Sequence, residues 1–134
     1  MQSAPPVSAT PAARRERGLA CERLAADYLE AQGLQILARN AYCRRGELDL
    51  VCLDGEVLAV VEVRQRAGLD YGGALGSIDL RKQHKIVLST QVYLQRRPEW
   101  RRLTVRFDVI AVTGNPAATH ELVWIKDAFR AVTW

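Results

Sequence analysis

The sequence predicts an α/β fold in which a mixed β-sheet is flanked by helices, in the order αβββαββ with a short C-terminal helix. The first indication is Asp54-Gly55 between two runs rich in Val and Leu, which is the strongest short-range signal for a β-hairpin. The second is helical periodicity on both sides of that hairpin, followed by two more apolar runs. Strands grouped before a single crossover helix are typical of a mixed sheet.

Composition narrows the class of protein. The 134 residues, 49% hydrophobic and 25% charged, correspond to one globular domain. The 19 Lys and Arg outnumber the 15 Asp and Glu, which favours a polyanionic partner such as nucleic acid. The three cysteines show no CxxC spacing, so we expect neither a zinc site nor a full disulfide framework, and a cytoplasmic location is the simplest. No apolar run approaches the roughly 20 residues of a membrane span, so no membrane partner is expected.

The N-terminal part divides into a leader and a helix. Residues 1–13 are rich in Pro, Ser and Ala without periodicity, so we expect a disordered leader followed by a single domain over residues 14–134. A helix is predicted over residues 14–32, with Gly33 as its stop. Glu22 lies on the apolar stripe of this helix, where an acid needs a partner. That partner is either a neighbouring arginine of the helix or a functional site.

A strand and a loop precede the hairpin. The strand is predicted over residues 34–39 and the loop over residues 40–45, which carry Arg44 and Arg45. The two arginines lie directly before Gly46, where the first hairpin strand begins. They are candidates for contact with a nucleic-acid backbone or for pairing with acids of the hairpin.

The hairpin brings acidic residues together. If Asp54-Gly55 is the whole turn, the numbers of cross-strand partners sum to 109, so Glu47 faces Glu62. Asp49 is then a diagonal neighbour of Glu62, at roughly 7–8 Å between backbones. The other face is wholly apolar and should pack on a core; it comprises Leu48, Leu50, Cys52, Val57, Ala59, Val61 and Val63.

Three carboxylates therefore converge at the end of the hairpin away from its turn. Opposed like charges destabilise a sheet, and a divalent cation would remove the conflict. Mg²⁺ binds one or two protein carboxylates together with water and phosphate oxygens, and such a site supports phosphodiester hydrolysis. The alternative is that the acids are solvated or paired with Arg44, Arg45 and Arg64, and the hairpin alone leaves both interpretations open.

The segment after the hairpin combines a glycine-rich loop with a helix. Residues 65–76 hold four of the nine glycines and predict a flexible loop, whose Arg66 and Tyr71 either follow a nucleic-acid strand or belong to a plain connection. The helix begins at Ser77 or Asp79 and ends near residue 96. Its predicted inward residues are Ile86, Val87, Thr90, Tyr93 and Leu94. Its first turns either meet phosphates or form a solvated basic face; they carry Arg81, Lys82, His84 and Lys85.

The C-terminal third predicts a basic loop, two strands and a helix, over residues 96–102, 103–112, 121–125 and 126–131 respectively.

Several motifs together resemble a known protein family. Gly46-Glu-Leu-Asp49 followed by Val61-Glu62-Val-Arg64 is similar to the PD-(D/E)xK motif of restriction-endonuclease-like nucleases. With further positions, the chain resembles the YraN-like family of small bacterial proteins of that fold, from about Gly18 to Phe129. Those positions are Glu22, Gly33, Asn40, Tyr71-Gly72, Lys82-Gln83 and Arg106-Phe-Asp108. The family is related to archaeal Holliday-junction resolvases, so the resemblance implies metal-dependent cleavage of branched or otherwise structured DNA. Because these resolvases act as dimers, a homodimer is one expectation.

The resemblance implies a role for each matched residue of the site. Asp49 and Glu62 would hold Mg²⁺ or Mn²⁺, and Glu22 would complete or support the metal site. Arg64 stands where the superfamily usually has a lysine that positions or activates the attacking water, and an arginine is always protonated and so cannot be a base. Further members of the site would be Glu47 and Lys82.

Three functions remain open at this stage. The first is a metal-dependent nuclease, in which Lys82 supplies the ammonium missing at Arg64. The second is a nucleic-acid-binding module of nuclease ancestry, inactive because of Arg64. The third is a protein-interaction domain that docks through its acidic residues. Candidate nucleic-acid contacts are Arg44, Arg45, Arg66, Tyr71, Lys82 and Lys85.

Overall fold

The computed structural model describes residues 10–66, 76 and 78–131 of the chain. Within these residues, a five-stranded sheet carries one helix on each face. The elements are α1 (Pro11–Ala31), β1 (Gln35–Cys43), β2 (Gly46–Asp54), β3 (Val57–Arg66), α2 (Leu80–Gln95), a 3₁₀ turn (Pro98–Trp100), β4 (Thr104–Gly114) and β5 (His120–Phe129). Neither of the helices described here has the length and apolarity needed to cross a membrane.

The strands follow chain order across the sheet. The β3–β4 pair is parallel, and the other three pairs are antiparallel. A parallel step needs a crossover connection, and α2 lies in that connection. The predicted mixed sheet flanked by helices is confirmed.

α1 begins three residues before its predicted start, so residues 11–13 belong to the helix and not to a leader. Thr10 caps the helix by accepting a hydrogen bond from Ala13 N at 3.1 Å. Gly33 follows its C-terminal end as predicted, with a φ of +94° that glycine adopts without strain. Residues 1–9 of the predicted leader lie outside the described residues.

β1 runs through most of the segment predicted as a loop. The prediction of a loop over residues 40–45 is wrong, because the chain pairs with β2 as far as Cys43, which lies opposite Gly46. Only two arginines remain as the turn between the two strands. β1 is an edge strand, so its polar residues remain accessible to solvent and carry little cost. Asn40 interrupts the strand with a φ of +50°.

The hairpin turn lies one residue later than predicted. Asp54 pairs with Val57, so the turn residues are Gly55 and Glu56, and the numbers of cross-strand partners sum to 111 instead of 109. Gly55 has a φ of +60°, as glycine does at the first central position of a type II′ turn. The shift moves the acids of the two strands relative to one another.

Each face of the sheet packs against one helix. On the α1 side the buried residues are Cys21, Ala25, Ala26, Leu29, Leu34, Leu50, Cys52, Ala59, Val61, Val63, Ile110 and Val112. On the α2 side they are Leu48, Val51, Leu58, Val60, Ile78, Ile86, Val87, Tyr93, Phe107 and Val109. The prediction that Leu48 shares a face with Leu50 is therefore wrong.

α2 follows its prediction closely. Asp79 caps it by accepting a hydrogen bond from Lys82 N at 2.8 Å, whereas Ser77, the other predicted cap, lies outside the described residues. All five predicted inward residues are buried or half-buried, and Ser89 is buried beside them. A capping side chain and one apolar stripe, both local signals, were sufficient to predict this helix.

β5 replaces the predicted C-terminal helix. The strand pairs with β4 as far as Phe129, which lies opposite Phe107. The prediction of a helix over residues 126–131 is therefore wrong. The buried carboxylate of Asp108 accepts a hydrogen bond from Asp127 N at 2.9 Å. This bond holds the end of β5 against β4. Asp127, whose N–H donates it, has a φ of +53°.

Candidate metal centre

The candidate site lies where β2 and β3 separate. The last backbone pair between the two strands is Leu50 with Val61. Continuing that register by one step brings Asp49, and not Glu47, opposite Glu62. The predicted pairing of Glu47 with Glu62 is therefore wrong, and Asp49 faces Glu62.

Carboxylates replace backbone carbonyls as hydrogen-bond acceptors at this point. Val63 N donates to Asp49 Oδ2 at 2.9 Å, and Asp49 N donates to Glu62 Oε2 at 3.4 Å. Each acid thus holds a backbone amide of the other strand. Both carboxylates are fixed at the opening between the strands.

The alternation of side chains also changes at Asp49. Leu48 packs on the α2 side of the sheet and Leu50 on the α1 side, although residues two apart in a strand normally share a face. The β1–β2 register places Asn40, with its φ of +50°, opposite Asp49. This irregularity explains how side chains from helices on opposite faces of the sheet approach one point.

Four acids form the acidic cluster, defined as Glu22, Glu47, Asp49 and Glu62. Carboxylate oxygens of Glu22, Glu47 and Asp49 lie within 4.8 Å of one another. Glu62 is 2% exposed and contacts the group through Asp49 N. Of the three predicted metal ligands, Asp49 thus neighbours both Glu22 and Glu62, but the tightest group contains Glu47, which the sequence placed only at the margin of the site.

Burial raises the pKa of every carboxyl group in the acidic cluster. Burial is the largest cause in each case, and the charge of Asp49 adds to it for the other three. The Lys82 ammonium partly offsets the rise in pKa of Glu47, Asp49 and Glu62, and the Arg64 guanidinium does the same for Asp49 and Glu62. Arg64 Nη2 lies 3.5 Å from Glu62 Oε1. Both cations therefore act on the cluster.

Glu22 carries an unsatisfied oxygen. Its Oε2 is buried and has no hydrogen-bond partner among the described residues, and the side chain that stabilises its ionised form is Asn40, not an arginine of α1. A buried polar atom without a partner calls for an explanation. The donors of the cluster are all carboxylate oxygens, which suit Mg²⁺ or Mn²⁺ better than a metal that prefers nitrogen or sulfur. The residues therefore fit the metal that the resemblance implies.

The predicted nucleic-acid contacts divide into three groups. Arg44 and Arg45 are exposed in the β1–β2 turn, and Lys82 and Lys85 are exposed on α2. Arg66 is half-buried at the end of β3, where its Nη1 donates to Gln65 O at 3.3 Å. Tyr71 lies outside the described residues.

One further basic residue was missed by the sequence analysis. Arg17 of α1 and Arg66 both line a cavity of about 490 Å³ together with Gln65, Gly114 and Asn115. No sequence signal marks Arg17, because only the packing of α1 beside the ends of β3 and β4 brings it to this cavity.

The Arg106-Phe-Asp108 motif holds the sheet together. Arg106 binds both oxygens of Asp108, at 2.8 and 2.9 Å, and reaches Asp54 Oδ2 of β2 at 2.9 Å. Asp108 also accepts hydrogen bonds from Trp124 Nε1 at 3.0 Å and from Asp127 N at 2.9 Å. These bonds tie β2, β4 and β5 together, so the structure gives the motif a structural role.

We expect the metal-free protein to lose stability as the pH rises from about 5 to 9. Burial raises the pKa of Glu62 to about 8, so between the ordinary carboxyl pKa and this value the folded protein binds more protons than the unfolded chain. The stabilisation is complete below the unfolded pKa and is lost as the pH rises through the folded one. In EDTA, Tm should fall by roughly 5 °C across this range. Glu62→Gln should reduce that fall, and equal slopes in both proteins would contradict the prediction.

Comparison with known proteins gives a consistent family assignment. A model described as "Uncharacterised protein family UPF0102" matches residues 21–112. A UPF0102 protein of Pseudomonas putida (strain GB-1) is 50% identical over 121 residues, which cover 90% of this chain and 98% of the relative. A UPF0102 protein of Xanthomonas campestris pv. campestris (strain B100) is 48% identical over 120 residues, covering 90% of this chain and 96% of the relative.

Proposed function

The chain belongs to the UPF0102 family, and from its acidic cluster we propose that it is a Mg²⁺- or Mn²⁺-dependent endonuclease that cleaves structured or branched DNA. The proposal includes the restriction-endonuclease-like version of the mixed α/β fold. One observation carries it. Asp49 and Glu62 stand opposite each other where β2 and β3 separate, beside a buried and unpartnered oxygen of Glu22.

The arrangement would be costly without a function. Opposed acids destabilise a sheet, and burial makes the charged forms less favourable still. Arg64 and Lys82 bring two positive charges to four carboxylates, and a bound divalent cation would offset the remaining negative charge. Asp49, Glu22 and Glu62 would hold the ion, with Glu47 as a further oxygen donor.

A bound Mg²⁺ or Mn²⁺ would neutralise charge on a phosphate and make a water molecule more acidic. The residues of this chain provide the rest of the chemistry. Arg64 remains protonated and can only stabilise negative charge on the phosphate. Lys82 of α2 offers a second cation, whose charge acts on Glu47, Asp49 and Glu62. Its ammonium can bind a phosphate oxygen as a point charge.

DNA as the substrate is supported by the charge distribution. The chain carries a net charge of +4, and four of its 15 acidic residues lie together in the acidic cluster. Arg44 and Arg45 follow the strand that is hydrogen-bonded to β2 and precede Glu47 by only a few residues. Exposed arginines and lysines supply the salt-dependent contacts that hold a DNA backbone near such a centre.

The test is a cleavage assay with three DNA substrates. The purified protein is incubated with a labelled four-way junction, a fork and a linear duplex, each in Mg²⁺, Mn²⁺ or EDTA. We expect cleavage of the junction or the fork that requires metal and exceeds cleavage of the duplex. Cleavage in EDTA, or none on any substrate with either metal, would count against the proposal.

A second candidate function is an inactive nucleic-acid-binding module. It is favoured by Arg64, whose guanidinium pairs with Glu62 at 3.5 Å and cannot act as a base. The same assay with Arg64→Lys separates the two functions. A wild-type protein that binds the junction but does not cut it, together with cleavage by Arg64→Lys, would identify the binding module. A wild-type protein that cuts would exclude it.

A further inference from the structure

A second chemical feature lies at the β1–β2 turn, at Cys43. This cysteine ends β1 and is half-buried. Arg45 N donates a hydrogen bond to Cys43 Sγ at 3.3 Å. The other two cysteines, Cys21 and Cys52, are 2% and 0% exposed and belong to the core.

Cys43 borders a cavity of about 330 Å³ between β1 and the C-terminal half of α2. Ser89 lines the same cavity and is 2% exposed, and apart from the Cys43 sulfur, on which it acts, its hydroxyl has no hydrogen-bond partner among the described residues. A buried hydroxyl without a good acceptor is unfavourable. An ionised sulfur beside it would provide the missing acceptor.

The cavity is also positively charged. Arg96 and Arg97 line it, and no acid is among the described residues that line it. Arg97 is held with its guanidinium 3.9 Å from the centre of the Tyr93 ring. Burial acts to raise the pKa of the Cys43 thiol, but the Arg45 and Gly46 amides, the Ser89 hydroxyl and the Arg96 charge together lower it. In contrast, burial raises the pKa of the Cys21 and Cys52 thiols.

We propose that Cys43 is a thiol-modification site that reacts with anionic low-molecular-weight disulfides, whose carboxylates lie against Arg96 and Arg97. The Cys43 thiolate attacks one sulfur of the disulfide, and a new sulfur–sulfur bond forms while the original one breaks. The other half leaves as a thiolate and takes a proton from water. The exchange needs no further oxidant. The inference is independent of the proposed nuclease activity.

The test compares three disulfides of different charge. Full-length protein is treated at pH 7 with glutathione disulfide (anionic), 2-hydroxyethyl disulfide (neutral) or cystamine (cationic), and intact mass is followed over time. We expect a single adduct at Cys43, absent in Cys43→Ser. Glutathione disulfide should react about fivefold faster with native protein than with protein unfolded in urea. The ratio of the native to the unfolded rate should be smaller for the neutral disulfide and smallest for the cationic one.

Three variants separate the effect of the cavity from general thiol reactivity. Arg96→Gln should remove most of the preference for the anionic probe, whereas Arg102→Gln, which changes the same charge at an exposed position outside the cavity, should not. Ser89→Ala should slow all three probes about two- to threefold while retaining the preference for charge. Native rates no faster than in urea, or rates that do not depend on probe charge, would overturn the proposal.

Discussion

Glu62→Gln is expected to lower metal-dependent cleavage of a DNA junction by about 100-fold or more. The amide keeps the size of the side chain but removes a charge that faces Asp49 at the opening between β2 and β3. DNA binding without metal should be unchanged below about pH 8, where the Glu62 carboxyl group is protonated, and tighter above it, because a negative charge near the phosphates is then lost. Initial cleavage rates in Mg²⁺ and a gel-shift titration in EDTA measure the two effects separately.

Glu56→Gln is the matched control for this variant. It makes the same chemical change on the same hairpin, but at an exposed turn residue away from the acidic cluster. Its cleavage rate should equal that of the wild type. Equal activity in Glu62→Gln and the wild type would remove the acidic cluster from the mechanism, and loss of activity in both variants would point to the hairpin fold instead.

Asp108→Ala is expected to destabilise the fold by about 3–5 kcal/mol. The carboxylate is fully buried and accepts hydrogen bonds from Arg106, Trp124 and Asp127 N. Its removal leaves buried donors without a partner and frees the end of β5. Urea unfolding followed by circular dichroism measures the loss.

Two comparisons test the cause of that loss. Asp27→Ala, an exposed acid of α1, should change stability by no more than about 0.5 kcal/mol. The double variant Arg106→Met with Asp108→Leu should be less destabilised than Asp108→Ala alone, because it leaves no guanidinium without its partner. A loss below about 1 kcal/mol in Asp108→Ala would mean that the network contributes little to stability.

The elements that the sequence predicted well are those set by neighbouring residues. α2 begins at Asp79 because a capping side chain and an apolar stripe lie within one segment. The hairpin was placed correctly for the same reason, but its register was not. Asp-Gly and Gly-X turns share a glycine and differ by one position. A shift of two in the sum of partner numbers leaves each side chain of the hairpin on the same face of the sheet. The alternation of apolar and polar residues therefore could not reveal the error in register.

The elements that the sequence did not predict depend on distant residues. β5 continues past Ile125 because Asp108 of β4 binds Asp127 N, and nothing between residues 121 and 131 encodes that bond. Residues 40–43 of the expected loop form a strand because β2 pairs with them. Local propensity is overridden in both cases by a tertiary contact.

The candidate site shows the same division. Glu22 could be singled out because an acid on an apolar stripe is unusual, and Asp49 and Glu62 because their strands are neighbours. The closeness of Glu47 to Glu22 could not be foreseen. It depends on the change of alternation at Asp49 and on the left-handed backbone of Asn40 opposite it.

The order of the strands also affects how the chain folds. β2 and β3 are joined by a two-residue turn, whereas partners across β3 and β4 are far apart in sequence, as Val57 and Thr104 are. Contacts that close short loops form at lower entropic cost, so the hairpin that carries Asp49 and Glu62 is the natural nucleus of folding. Repulsion between these acids then opposes the folding transition state itself. We therefore expect charge at the candidate centre to slow the folding of the chain as well as to lower its final stability.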